Sequence, residues 1–139
     1  MARTINMKFI RYLNLFEKVT GMRTQHCFLY NNGIIFAVPQ EKIAKALGES
    51  GKNMKRLSEI LEKKVKVISL PNGIKDIEKF VLAIVYPVKF KSLEIKDDCV
   101  VISAGLQSRA ALIGRNKSRL LEMKNILNEY FGIRDLRIA

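Results

Sequence analysis

In Ala46-Leu47-Gly48-Glu49-Ser50-Gly51-Lys52-Asn53-Met54-Lys55, a glycine pair separates the end of one amphipathic segment from the start of another. Gly48 and Gly51 permit an abrupt reversal free of Cβ clashes and let another chain come close to the backbone. The segment before the bend, roughly 40–47, places Ile43, Ala46 and Leu47 on one side. The segment after it puts Met54, Leu57, Ile60 and Leu61 on one helical face. A helix that starts at such a bend directs its unpaired N–H groups and positive dipole end outward. That arrangement suits a phosphate. Lys42 and Lys45 precede the bend, and Lys52, Lys55 and Arg56 follow it in the first turns.

Working outward, Ile5, Phe9, Tyr12, Leu13, Phe16 and Val19 recur at helical spacing up to a stop near Gly21. Residues 24–30 and 34–38 are rich in aromatic and β-branched types and read as two strands. Asn31-Asn32-Gly33 between them is expected to supply the positive φ angles of a tight hairpin turn. After the paired helices, Val65-Lys66-Val67-Ile68-Ser69 alternates as a strand. The order is helix, strand, strand, helix, helix, strand.

The same order follows a second time. Ile77, Phe80, Val81, Ile84 and Val85 mark a helix ending before Pro87. Strands are predicted near 88–95 and 99–104, joined at Asp97-Asp98, then a helix over 106–113 and a longer one through Leu120, Met123, Leu127 and Tyr130. Arg134 to Ile138 closes as a strand. At a displacement of 66 residues, Ile43-Ala44-Lys45-Ala46-Leu47-Gly48 falls on Arg109-Ala110-Ala111-Leu112-Ile113-Gly114. The second bend is therefore Gly114-Arg115-Asn116-Lys117, with Arg119 just beyond and Arg109 upstream. The chain reads as two α+β units, 1–70 and 74–139, joined by Pro71-Asn72-Gly73.

The 139 residues carry 25 basic and 13 acidic side chains, a net charge of +12, with 48% hydrophobic residues. This is globular composition with a surplus suited to a polyanion. Residues 1–70 hold 13 basic and 5 acidic groups, residues 71–139 hold 12 and 8, so the surplus leans toward the complete glycine pair. The longest apolar run, Phe80 to Val88, contains Pro87 and is too short for a bilayer span. The N-terminus has no apolar signal core, and Cys27 and Cys99 are too few for a disulfide framework or a thiolate zinc site. Reduced thiols in a cytoplasmic protein are expected. His26 and Cys27 are adjacent on a strand, where successive side chains point to opposite faces, so they form no nucleophile–base pair. Carboxylates are scattered, and no metal or cofactor is expected.

Helix, G-x-x-G, helix, strand resembles the core of the KH RNA-binding module, whose signature is similar to residues 46–55. Residues 71–73 leave no room for a further strand after the first core, so the extra helix and strand precede each core, the prokaryotic type II order. Two such units in tandem resemble the archaeal branch of the NusA-like transcription factors. The polymerase-binding and OB-fold domains of the bacterial branch are not expected within this length. The resemblance implies an α+β fold of two tandem type II KH domains, each a three-stranded sheet covered by helices on one face. It implies a monomer that binds single-stranded RNA, a nascent transcript, with RNA polymerase as a further partner and no catalysis.

The RNA-binding residues it implies are Gly48, Glu49, Ser50, Gly51, Lys52, Asn53, Lys55 and Arg56 in the first unit. In the second they are Gly114, Arg115, Asn116, Lys117 and Arg119. The family's G-x-x-G loop clamps about four nucleotides of backbone while bases lie in an apolar groove. By position, Ile43, Leu47, Met54 and Leu57, or Leu112, Ile113 and Leu120, supply the groove floor, some of them serving as core instead. Two departures stand out: Glu49 occupies a position that is commonly basic, and Lys117 replaces the last glycine. A role in ribosome assembly or RNA processing would use the same surface, and a polymerase adaptor with incidental RNA contact is the reading from another class.

Overall fold

Tight turns and glycine stops cut the chain into one order of elements, used twice. A computed structural model describes residues 7–139, and Ile5, expected in the first helix, lies outside the described residues. Among the described residues, six α-helices and two three-stranded sheets make an α+β architecture. The chain divides between Leu70 and Pro71 into two units.

In the first unit, α1 (Met7–Thr20) buries Tyr12, Phe16 and Thr20, four residues apart. Thr20 ends it: its hydroxyl donates to Phe16 O at 2.7 Å and accepts the Met22 N–H at 3.2 Å. β1 (His26–Tyr30) and β2 (Gly33–Val38) form a hairpin whose two turn residues, Asn31 and Asn32, have φ of 53° and 60°. Paired positive φ angles match the right-handed twist of the strands. Gly33 is not the third such residue but the first of β2, paired with Tyr30, where a Cβ would come 3.2 Å from Lys64 O. α2 (Ile43–Leu47) and α3 (Lys52–Leu61) then carry the chain back, so that β3 (Val65–Ser69) lies parallel to β2 from Ile34↔Val65 to Val38↔Ser69. Parallel pairing requires a crossover of that kind.

Alternation puts Cys27, Ile34, Phe36 and Val38 on one face, where they join Tyr12, Phe16, Ala46, Met54, Leu57 and Leu61 in one core. The Phe16 and Phe36 rings stack at 4.5 Å. Ile60, expected on the apolar face of α3, is 42% exposed. It sits about 100° round the helix from Leu61, and Met54, Leu57 and Leu61 already complete the buried stripe.

The second unit comprises α4 (Ile77–Val85), β4 (Ser92–Lys96), β5 (Cys99–Ser103), α5 (Leu106–Ile113), α6 (Ser118–Phe131) and β6 (Asp135–Ile138). Its pairing repeats the first: β5 is antiparallel to β4 and parallel to β6. β4 begins at Ser92 and not near 88, because the Val88 N–H turns back to Val85 O at 2.9 Å. α6 has 14 residues where α3 has 10, so the 66-residue displacement holds from Lys52↔Ser118 to Leu61↔Leu127 and lapses only beyond it. Phe80 of α4 meets Tyr130 and Phe131 of α6 at ring distances of 5.2 and 5.7 Å. No helix among the described residues is long and apolar enough to cross a membrane.

Candidate nucleic-acid interface

Both bends are built alike. The Gly48 N–H closes α2 on Ala44 O at 3.1 Å, and the Gly114 N–H closes α5 on Ala110 O at 2.9 Å. Gly48 has φ 76° and ψ 174°, Gly114 φ 74° and ψ 172°, a region open essentially to glycine alone. Two left-handed residues follow in each: Ser50 (54°, 27°) and Gly51 (72°, 20°), Asn116 (56°, 30°) and Lys117 (61°, 23°). The Gly51 N–H returns to Gly48 O at 3.1 Å, and the Lys117 N–H to Gly114 O at 3.2 Å. Thus Lys117 replaces a glycine without changing the backbone path.

The reason is the space around each glycine. A Cβ on Gly114 would stand 2.6 Å from Arg119 Cγ and 2.9 Å from Arg119 N, and one on Gly48 would stand 2.8 Å from Asn53 Cγ. A Cβ on Gly51 meets nothing within 4 Å. The first glycine is demanded by conformation and by contact, the last by conformation only. Non-glycine residues pay about 1–2 kcal/mol in the left-handed region.

Neither α3 nor α6 has a side chain capping its first turn. The Lys52 N–H returns to Glu49 O and the Ser118 N–H to Arg115 O, so the loop carbonyls take the first amide of each helix while the positive end of its dipole still faces the bend. In the first unit Glu49, Ser50, Lys52, Lys55 and Arg56 are exposed, and Gly48 and Gly51 are half-buried. Lys42 and Lys45 are exposed as well. Asn53 has a different job: its Nδ2 donates to Ala46 O at 3.1 Å and to Lys45 O at 3.4 Å, tying the end of α2 to the start of α3.

The second bend distributes its charge differently. Arg115, Asn116 and Lys117 are exposed in the loop itself. The helix positions of Lys52, Lys55 and Arg56 are taken by Ser118, Leu121 and Glu122. Arg119, at the position of Asn53, is drawn inward: its side chain is 15% exposed and its Nε lies 3.2 Å from Glu122 Oε1. Arg109 is half-buried, with its Nε enclosed and without a hydrogen-bond partner. The loss of charge along the start of α6 was available from the 66-residue displacement, but the comparison of glycine loops alone passes over it.

Of the groove-floor residues, Met54 (9% exposed) and Leu57 (fully buried) belong to the core, as does Leu112. Ile43 and Leu47 remain partly open beside the first bend, and Ile113 and Leu120 beside the second. Among the described residues, no group of three His, Cys, Asp or Glu side chains is placed to hold a metal ion.

No protein-family model matches the sequence. Curated relatives do. "Probable transcription termination protein NusA" of Methanococcus vannielii is 24% identical, covering 100% of this chain and 81% of the relative. The protein of the same name from Halococcus morrhuae is 25% identical with 100% of both chains covered. That of Methanocaldococcus jannaschii is 25% identical over 93% of this chain and 71% of its own length. Among solved structures, "Crystal structure of APE1850" superposes with a TM-score of 0.65 at 27% identity, covering 97% of this chain and 100% of the other. The likeness to archaeal NusA-like proteins thus extends along nearly the whole chain.

Proposed function

We propose that the chain is a pair of tandem type II KH domains, 1–70 and 74–139, that binds single-stranded RNA as a cytoplasmic, NusA-like termination or antitermination factor. The observation that carries this reading is the recurrence of one backbone path at two bends of different sequence, each leading into a helix without a side-chain cap. Sequence drift with conserved dihedrals is what a backbone-lined phosphate site requires, since the amides bind whatever the side chains are. The names and coverage of the curated relatives support the transcriptional role. The work of the site is recognition, and no bond is broken.

A titration of the full chain against an unstructured RNA of about eight nucleotides tests it. With about three phosphates neutralised per unit, log K falls against log salt with a slope near −2 for each unit engaged, near −4 for both. A slope near zero, or no binding at low salt, overturns the reading. For residues 74–139 one observation favours a protein contact such as RNA polymerase instead: exposed Leu121 and the Arg119–Glu122 pair occupy the start of α6. RNA polymerase recovered by 74–139 after RNase treatment supports that alternative.

A further inference from the structure

The first unit carries a surface that the RNA reading does not use. A groove of about 430 Å³ runs along α1 to α3, lined by the apolar Met7, Ile10, Leu15 and Ile60, by Asn14, and by the basic Arg11 and Lys18. Met7 is 80% exposed, Ile10 38% and Ile60 42%. The architecture does not impose this exposure: Ile126, the counterpart of Ile60 in the second unit, is 4% exposed. Met7, Arg11 and Lys18 recur at intervals of four and seven, one stripe of a helix surface.

We infer that this groove docks an acidic amphipathic helix of a partner protein. Four of the groove's seven lining residues are apolar and none is aromatic, so it offers no platform on which a base would stack. Its lining runs from Met7, in the first turn of α1, to Lys18 near the helix end, and across to Ile60 of α3. No lining residue is acidic, and Glu17, the one carboxylate on α1, is engaged by Arg23 Nε at 3.1 Å. The charge complement of an apolar and basic lining is a helix bearing apolar anchors at i, i+3 or i+4 and i+7, flanked by Asp or Glu. A second copy of this chain, at net +12, brings the wrong sign, and Met1-Ala2-Arg3-Thr4-Ile5-Asn6 contains no acid.

The test uses two synthetic helical peptides with identical leucine anchors, one flanked by glutamates and one by lysines, titrated into the full chain by fluorescence anisotropy and amide chemical shifts. The acidic peptide is expected to bind at least tenfold more tightly and to shift amides of α1 and α3. Ile60→Asp and Arg11→Glu, both at exposed positions, are expected to lower its affinity tenfold or more while RNA affinity stays within twofold. Equal binding of the two peptides overturns the inference, as does an unchanged affinity in both variants. A parallel loss of RNA affinity in both variants reassigns the groove to RNA and also overturns it. Tight acidic-peptide binding only after removal of residues 1–6 would assign the groove to the chain's own N-terminal segment and likewise overturns the inference. Failure of RNA binding alone, with the peptide results intact, leaves this inference standing and removes only the RNA reading.

Discussion

Gly114→Ala is expected to destabilise the second unit by roughly 3 kcal/mol, while Gly51→Ala costs the first about 1 kcal/mol. At 114 the substitution meets two penalties at once. The backbone angles there, φ 74° and ψ 172°, exclude side chains. A Cβ also arrives 2.9 Å from the Arg119 backbone nitrogen, an atom fixed by the first turn of α6. Relief requires moving the helix start. At 51 the conformation alone is at issue, since nothing lies within 4 Å. Native-state hydrogen exchange at the amides of β5 and α6 for the first variant, and of β2 and α3 for the second, reads each unit separately. Equal costs at the two positions would contradict the account of why one glycine has a lysine counterpart and the other does not.

Gly51→Asp is expected to weaken binding of single-stranded RNA by 1–3 kcal/mol, roughly 5- to 150-fold, with little change of fold. Aspartate tolerates left-handed backbone better than most residues, and open space receives its side chain. It places a carboxylate beside the amides at the start of α3, where a phosphate is proposed to sit. Gly51→Lys is the matched control: it reproduces the geometry already present at Lys117 and adds a positive charge. Affinity retained in the lysine variant and lost in the aspartate variant assigns the effect to charge. Unchanged affinity in the aspartate variant would remove the first bend from the RNA interface.

Element order was legible in the sequence because each boundary has a local chemical cause. Asn31-Asn32 could be read as a hairpin turn, and a glycine stop as the end of a helix, without knowledge of the packing. What required coordinates was everything set by neighbours distant in sequence. Gly33 is the first residue of β2, paired with Tyr30, and the crowding a Cβ there would meet at Lys64 O comes from a residue distant in sequence. Asn53 was legible as part of a motif, but its bonds to the end of α2 depend on how two helices meet. Arg119 counts as a free cation in a charge tally, and only the structure reveals its pairing with Glu122. Ile60 fits an apolar stripe by spacing, yet its exposure is decided by what α1 leaves uncovered. Periodicity locates a face, and packing decides how wide the face is.

The central strand of each sheet meets one neighbour across a two-residue turn and the other only after two helices have been laid down. Loop closure is cheap for the first pairing and slow for the second, so the hairpins are available to nucleate before either bend is fixed. Substitutions at Gly114 should then leave the refolding limb of a chevron nearly unmoved and raise the rate of unfolding, the signature of a late-forming element. The part of the molecule proposed to grip RNA would thus be the last to assemble and the first to let go.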